Sequence, residues 1–350
     1  MKYIIVLLAL TLLINGQTTC PKYQCKLKTQ KFTDNTCVVY SNNTYYVSPC
    51  KTGYCEVSFG SLNSTCISST KTTYETNMYL PGAKCTINDD CLSGICSKTC
   101  QGISKGKTCN STLDCNPGLY CLNSQCTELI TTRLNCSNQY SCPYNSGCNV
   151  FNNASACIEY FSLEPGEIVG SCSENGMNLL CKSGYCGING EVYVCTDEIE
   201  SVSPRPYYCT LGSTCYSKID QKIGVAFSQE CLCGLNNLGT PHCNIFLGDY
   251  YGMKYKEKLI KWVRSDSVKN CNTYARIQPE CMKDWMNIND YNEIMYYYYL
   301  FMYYPYVAEA EDCVLENYVQ DFYEAKNDID TDSFAEIHKL FISIVLIMWF

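Results

Sequence analysis

Cysteine returns along this chain in one frame. Cys50 to Cys55, Cys91 to Cys96 and Cys181 to Cys186 each read C-x-x-G-x-C, and Cys115 to Cys121 is the same frame with one residue added. Each copy has a further cysteine upstream (Cys37, Cys85, Cys172, Cys109) and another downstream (Cys66, Cys100, Cys195, Cys126). Cys136, Cys142, Cys148 and Cys157 form a looser relative. The shared glycines, Gly53, Gly94, Gly118 and Gly184, predict a tight turn at positive φ, where a Cβ is disfavoured. Units of about 25 to 50 residues cannot bury enough apolar surface to fold alone, so covalent cross-links must replace the core. The fold class that follows is a tandem of small disulfide-rich modules made of short strands and turns, with a disulfide-linked, mainly α-helical C-terminal domain after them.

Parity suggests where the chain divides. Thirty of its 350 residues are cysteine, a density typical of disulfide scaffolds. Residues 20 to 195 hold 22 of them and residues 209 to 313 hold eight. Both counts are even, and the acidic stretch 197–206, with Pro204 and Pro206, reads as a linker. The expectation is up to 15 bridges, no free thiol, and none crossing the chain near residue 200. The units are then 17–80, 81–130 and 131–196 as cysteine-rich modules, 197–206 as linker, and 207–332 as a helical domain. Cys50, Cys55, Cys85, Cys91, Cys96, Cys100, Cys109, Cys115, Cys121, Cys126, Cys172, Cys181, Cys186, Cys195, Cys271, Cys281 and Cys313 are the leading bridge candidates. Which pairs with which stays open, since four cysteines already allow three connectivities.

Gly106 to Cys126 (GKTCNSTLDCNPGLYCLNSQC) resembles the cysteine-rich motif of the Dickkopf N-terminal type, and Gly82 to Cys100 is similar. Together with a Tyr/Asn/Lys-rich composition and an apolar tail, these motifs also resemble cysteine-rich surface proteins of ciliates. The match covers about residues 82–126 and implies a secreted disulfide module without naming a partner.

Both termini carry targeting patterns. Lys2 followed by the apolar run Ile4–Ile14 and then Gly16 has the form of a secretory signal peptide over residues 1–16. Leu340–Phe350 is a second apolar run behind a polar stretch. Residues 333–350 therefore read as a GPI-attachment signal, with Asp330 or Ser333 as the attachment residue; an apolar helix packed in a core is the alternative. Asn42, Asn63, Asn110, Asn135 and Asn153 each begin an Asn-X-Ser/Thr sequon, which marks them as glycosylation candidates. The implied location is the secretory pathway, ending at the extracellular face of the plasma membrane or in the medium.

After Gly252 the periodicity turns helical. Helices are expected over 253–264, around Val268 to Ala275 and stopped by Pro279, over 291–304 and stopped by Pro305, and over 308–325. The last carries an apolar stripe of Val314, Leu315, Tyr318, Val319 and Phe322. Tyrosine numbers 31, with a run at Tyr296–Tyr299 that faces most of the way round a helix. Such rings pack a core or form a binding surface, because tyrosine joins apolar area to a hydroxyl at low entropy cost.

Catalytic chemistry has little to work with. A net charge of −8 argues against nucleic acid as a partner. His242 and His338 are the two histidines, and the familiar nucleophile, zinc-protease, P-loop and dinucleotide motifs are missing. Cys231, Cys233, His242 and Cys243 come nearest to a zinc ligand set, but their spacing is poor and an oxidising compartment favours disulfides. Asp328, Asp330 and Asp332 lack the rest of a calcium loop. No catalytic residue, metal or cofactor is expected. The sequence predicts a non-enzymatic surface protein for adhesion, coating or recognition, lipid-anchored at the membrane and contacting an unknown protein or glycan. The alternative is a soluble secreted ligand or protease inhibitor.

Overall fold

The computed structural model describes residues 19–32, 35–57, 63–67, 78–130, 135–152, 154–203, 205 and 207–329. Residues 1–16, Asn153, Asp330, Ser333 and the tail 333–350 lie outside the described residues.

The first module is a five-stranded sheet of β1 (Lys22–Cys25), β2 (Thr36–Ser41), β3 (Thr44–Val47), β4 (Tyr54–Cys55) and β5 (Asn63–Ile67), in the order β1-β3-β2-β5-β4. Asn42 and Asn43 turn β2 into β3, both at positive φ (50° and 58°), the conformation that a two-residue hairpin loop demands. Small sheets follow. β6 (Cys96–Ser97) pairs with β7 (Thr99–Cys100), β8 (Leu119–Leu122) with β9 (Gln125–Glu128), and β10 (Ser146–Phe151) with β11 (Ala154–Glu159). A three-stranded sheet of β12 (Ile168–Val169), β13 (Cys186–Asn189) and β14 (Val192–Cys195) comes next, and another of β15 (Thr214–Tyr216), β16 (Ser228–Cys233) and β17 (Pro241–Cys243) closes the series.

All thirty cysteines are paired, and one connectivity recurs. Within each set of four, the first joins the third and the second joins the fourth. The pairs are Cys37–Cys55 with Cys50–Cys66, Cys85–Cys96 with Cys91–Cys100, Cys109–Cys121 with Cys115–Cys126, Cys136–Cys148 with Cys142–Cys157, and Cys172–Cys186 with Cys181–Cys195. The third and fourth cysteines always face each other across a hairpin: Cys55 opposite Cys66, Cys96 opposite Cys100, Cys121 opposite Cys126, Cys148 opposite Cys157 and Cys186 opposite Cys195. Gly53, Gly94, Gly118 and Gly184 take φ of 77°, 68°, 80° and 79°, as the shared frame predicts. In three modules the amide of an upstream glycine donates to the carbonyl of the fourth cysteine: Gly82 to Cys100, Gly106 to Cys126 and Gly166 to Cys195. Disulfides thus stand where an apolar core would be.

Two expectations are corrected. The tandem does not stop before residue 200: Cys209–Cys231 and Cys215–Cys243 build a further module with the same connectivity, Cys231 again facing Cys243. And bridges do cross the chain there. Cys20 joins Cys233 and Cys25 joins Cys313, spanning 213 and 288 residues. Even counts on both sides permit separate closure without requiring it, because two crossing bridges take two cysteines from each side. Residues 197–206 are not a bare connector either. Ile199 is 1% exposed, Asp197 N–H donates to the Asp220 carboxylate at 2.7 Å, and Ser201 donates through both N and Oγ to Asp249.

The C-terminal region is helical: α1 (Tyr250–Val263), α2 (Pro279–Trp285), α3 (Ile288–Met302), α4 (Tyr304–Val307) and α5 (Asp312–Tyr318), with helix resuming over 320–329. The helix expected around Val268 to Ala275 is a single 3-10 turn, Ser267–Asn270, followed by a loop that Cys271–Cys281 closes. Pro279 starts α2 instead of ending a helix, since the first helical position needs no N–H. Pro305 likewise lies in the first turn of α4, and α3 stops two residues earlier at Tyr303. The last expected helix is broken at Val319, whose φ of −143° and ψ of 58° leave the helical region.

The largest core sits between these helices and the last modules, with Trp262, Phe246, Leu247, Ile294, Leu315 and Tyr185 among its buried members. A second core joins the N-terminal sheet to the C-terminal region through Tyr23, Val38, Val47, Leu235 and Val314. The Cys271–Cys281 loop is where the helices grip the modules. Asn272 donates to the carbonyls of Thr112 and Cys115, and Thr273 to that of Leu119. Tyr144 Oη donates to Cys271 O at 2.7 Å while accepting from Gly118 N.

Candidate functional site

The same loop contributes Tyr274, Arg276, Ile277, Gln278 and Pro279 to the lining of a wide depression. Arg276 follows from it into the seam between β10, β11 and the helices, and is only 2% exposed. Its guanidinium donates to three backbone carbonyls, of Gln139 (2.6 Å), Cys142 (3.2 Å) and Pro143 (3.1 Å), and lies 5.3 Å from the ring centre of Tyr160. Among the described residues no carboxylate pairs with it. Carbonyl dipoles and an aromatic face therefore compensate this buried charge. Burial pushes the Tyr160 hydroxyl up, so it stays protonated.

Above Arg276 opens a cleft of about 670 Å³. Tyr140, Tyr160, Tyr255, Tyr274 and Tyr298 supply its rings, Met177, Leu179, Met282 and Met295 its apolar wall, and Gln139, Asn178 and Gln278 its amides. Tyr140 and Tyr274 pack at the rim with ring centres 5.1 Å apart, and Tyr274 is 38% exposed. The disulfides through Cys148 and Cys172 stiffen the wall that faces the helices. Pro279, Met295 and Tyr298 belong also to a second cleft of about 650 Å³, so the two form one continuous groove. Beyond Tyr298 it is lined by Tyr299, Tyr303, Tyr306 and Tyr318. Four tyrosines on each side of this shared ring make it a groove of aromatic faces with few charges.

The tyrosine run on α3 thus has both fates that the sequence left open. Tyr296 stacks on buried Phe322, with ring centres 5.4 Å apart, while Tyr298 and Tyr299 face the groove. Burial pushes the Tyr298 hydroxyl up to about 12 and that of Tyr299 higher, so both rings are neutral at physiological pH.

The other singled-out residues lie elsewhere. Asn42, Asn63, Asn110 and Asn135 are all exposed, and none lines the groove. Asn153, Asp330 and Ser333 fall outside the described residues. The zinc-like cluster is disulfide-bonded: Cys231 to Cys209, Cys233 to Cys20 and Cys243 to Cys215. Sulfur groups such as Cys109, Cys115 and Cys126, close enough together to suggest a metal, are likewise oxidised pairs. His242 is fully buried between the rings of Tyr208 and Tyr304, its Nε2 3.7 Å from a Glu309 carboxylate oxygen. Burial lowers its pKa despite the nearby Glu309.

No protein-family model, curated protein or solved structure matches this chain. Its groove is therefore weighed on its own chemistry. Sequence reasoning missed Tyr140, Tyr160, Asn178 and Arg276 because they come from segments far apart in the chain. Tyrosine abundance was the one signal that pointed toward them.

Proposed function

We propose that this protein is a non-enzymatic recognition or coat protein of the outer cell surface, lipid-anchored through its C-terminal tail, that engages its partner through the tyrosine-lined groove. The continuous groove carries this reading. It offers rings, amides and thioethers for contact, and its walls are disulfide modules gripped by helices. Rigid tyrosines held in this way bind with little entropic loss. Fifteen disulfides belong to an oxidising compartment, which fits the signal-peptide pattern and the exposed sequons. Among the described residues no helix is long and apolar enough to cross a membrane, so surface retention on this reading depends on the tail. The resemblance of residues 82–126 to Dickkopf N-terminal-type motifs supports a secreted module and is part of the proposal.

Beads coated with the oxidised protein should attach to cells, and Tyr140→Ala with Tyr274→Ala should abolish attachment while leaving thermal stability and disulfide content unchanged. Undiminished attachment by that variant would remove the groove from the reading. A phosphatidylinositol-specific phospholipase should release the native protein from cells. Recovery from the medium with Leu340–Phe350 intact would instead favour a soluble ligand or inhibitor.

A further inference from the structure

The two halves of the groove differ in charge. Around Arg276 no carboxylate contributes to the lining, whereas the half beyond Tyr298 contains Glu280 and Asp321 and no lysine or arginine. Both carboxylates are on exposed residues. Tyr299 donates to Asp321 at 3.2 Å, which leaves that carboxylate's charge in place at the rim. Lys283, one turn along α2 from Glu280, forms no ion pair with it among the described residues.

Two further features point the same way. The fifteen-residue helix α3 ends in this half, at Tyr303, with no basic residue in its last turn. Its C-terminal carbonyls add a partial negative charge that favours a cation. Tyr298, Tyr299 and Tyr303 also form a contiguous aromatic patch, with ring centres 5.6 to 6.0 Å apart. Tyrosine faces attract cations, most strongly where water is partly excluded. Across residues 279–329 there are eleven carboxylates and two lysines, and Lys326 is already paired with Asp312.

Resting on the groove as the recognition site, we propose that this half receives an arginine or lysine side chain from an extended segment of a partner protein. The ligand is a peptide segment because the joined clefts exceed the roughly 300–1,000 Å³ of a small-molecule site. The amide of Gln278, next to Pro279 in the adjoining half, suits the peptide backbone on that side of the cation.

The test uses the full oxidised chain and a fluorescent peptide, Ac-GSYRSYRSG-NH2, with the same peptide carrying citrulline for arginine as its neutral isostere. The arginine peptide should bind roughly tenfold more tightly, the scale of one desolvated cation–π contact with a carboxylate beside it. Glu280→Gln with Asp321→Asn should erase that difference, and Tyr303→Ala should reduce it whereas Tyr303→Phe keeps it. Neutralising two exposed carboxylates on modules that do not line the groove, Glu56→Gln with Asp89→Asn, should change affinity less than twofold. Equal binding of both peptides, or an equal loss in the control variant, overturns the proposal: the attraction would then be absent or merely the net charge of −8. If bead attachment still depends on Tyr140 and Tyr274 in that event, the groove remains the recognition site and only its cationic ligand is wrong.

Discussion

Protonating His242 would place a charge between the rings of Tyr208 and Tyr304, in a site that water does not reach. Its folded-state pKa lies below the ordinary 6.5, chiefly through burial. The unfolded chain therefore binds this proton first. Stability that is full above about pH 6.5 should be lost as pH falls below that value. His242→Phe removes the proton site and keeps an aromatic ring, so the decline in thermal midpoint from pH 7 to pH 5 should flatten relative to wild type. Carboxylates held low by hydrogen bonds or lysines, such as Asp90, Asp266 and Asp290, act below this window because their unfolded pKa is near 3.8. A decline of equal steepness in the variant would show that His242 carries none of it.

Among the elements, the repeating unit is the hairpin with facing cysteines. Much of it was legible: the frame C-x-x-G-x-C announced both the turn and the positive φ of its glycine. Pairing was not, since spacing alone cannot say which upstream sulfur reaches which strand. The glycines also differ in a way that the frame hides. A Cβ on Gly94 would meet nothing within 4 Å, whereas one on Gly184 would lie 2.2 Å from a methyl of buried Leu247. Gly94→Ala should cost about 1–2 kcal/mol for the left-handed backbone alone. Gly184→Ala should cost more, because it adds a clash in a packed core. Thermal midpoints of the two oxidised variants would rank them, and equal shifts would contradict the packing described at Leu247. Helix boundaries failed at the prolines for a local reason. Pro279 and Pro305 satisfy a helix start as well as they would enforce a stop, and only the packing of Met282 and Val307 on the core decides which.

For the whole molecule, the modules and helices are one covalent and packed body. The sequence could not reveal this, because parity is blind to an exchange of two cysteines between halves. The groove was hidden for a related reason: its walls come from residues 139–180, 255–298 and 299–321, brought together by carbonyl contacts such as those of Asn272 and Arg276. A protease site inserted after Val202, which is 62% exposed, tests the crossing bridges directly. The cut protein should run as one species in denaturant without reductant, and as two after reduction. Two species without reductant would mean that each side closes its own disulfides.

Cys25–Cys313 also settles how tension would travel. A pull applied between residues 19 and 329 follows the shortest covalent path, out to Cys25, across one bridge, and on from Cys313. That path contains 24 residues and can extend roughly 80 Å, whereas the reduced chain could reach roughly 1,000 Å. Every four-cysteine module lies in a slack loop that bears no load, and so does the half of the groove around Arg276, whereas Tyr318 to Asp321 of the other half lie on the loaded segment. Under shear a surface molecule built this way would stretch only at its two ends, and the Arg276 half of its binding face would keep its shape for as long as that single sulfur–sulfur bond holds.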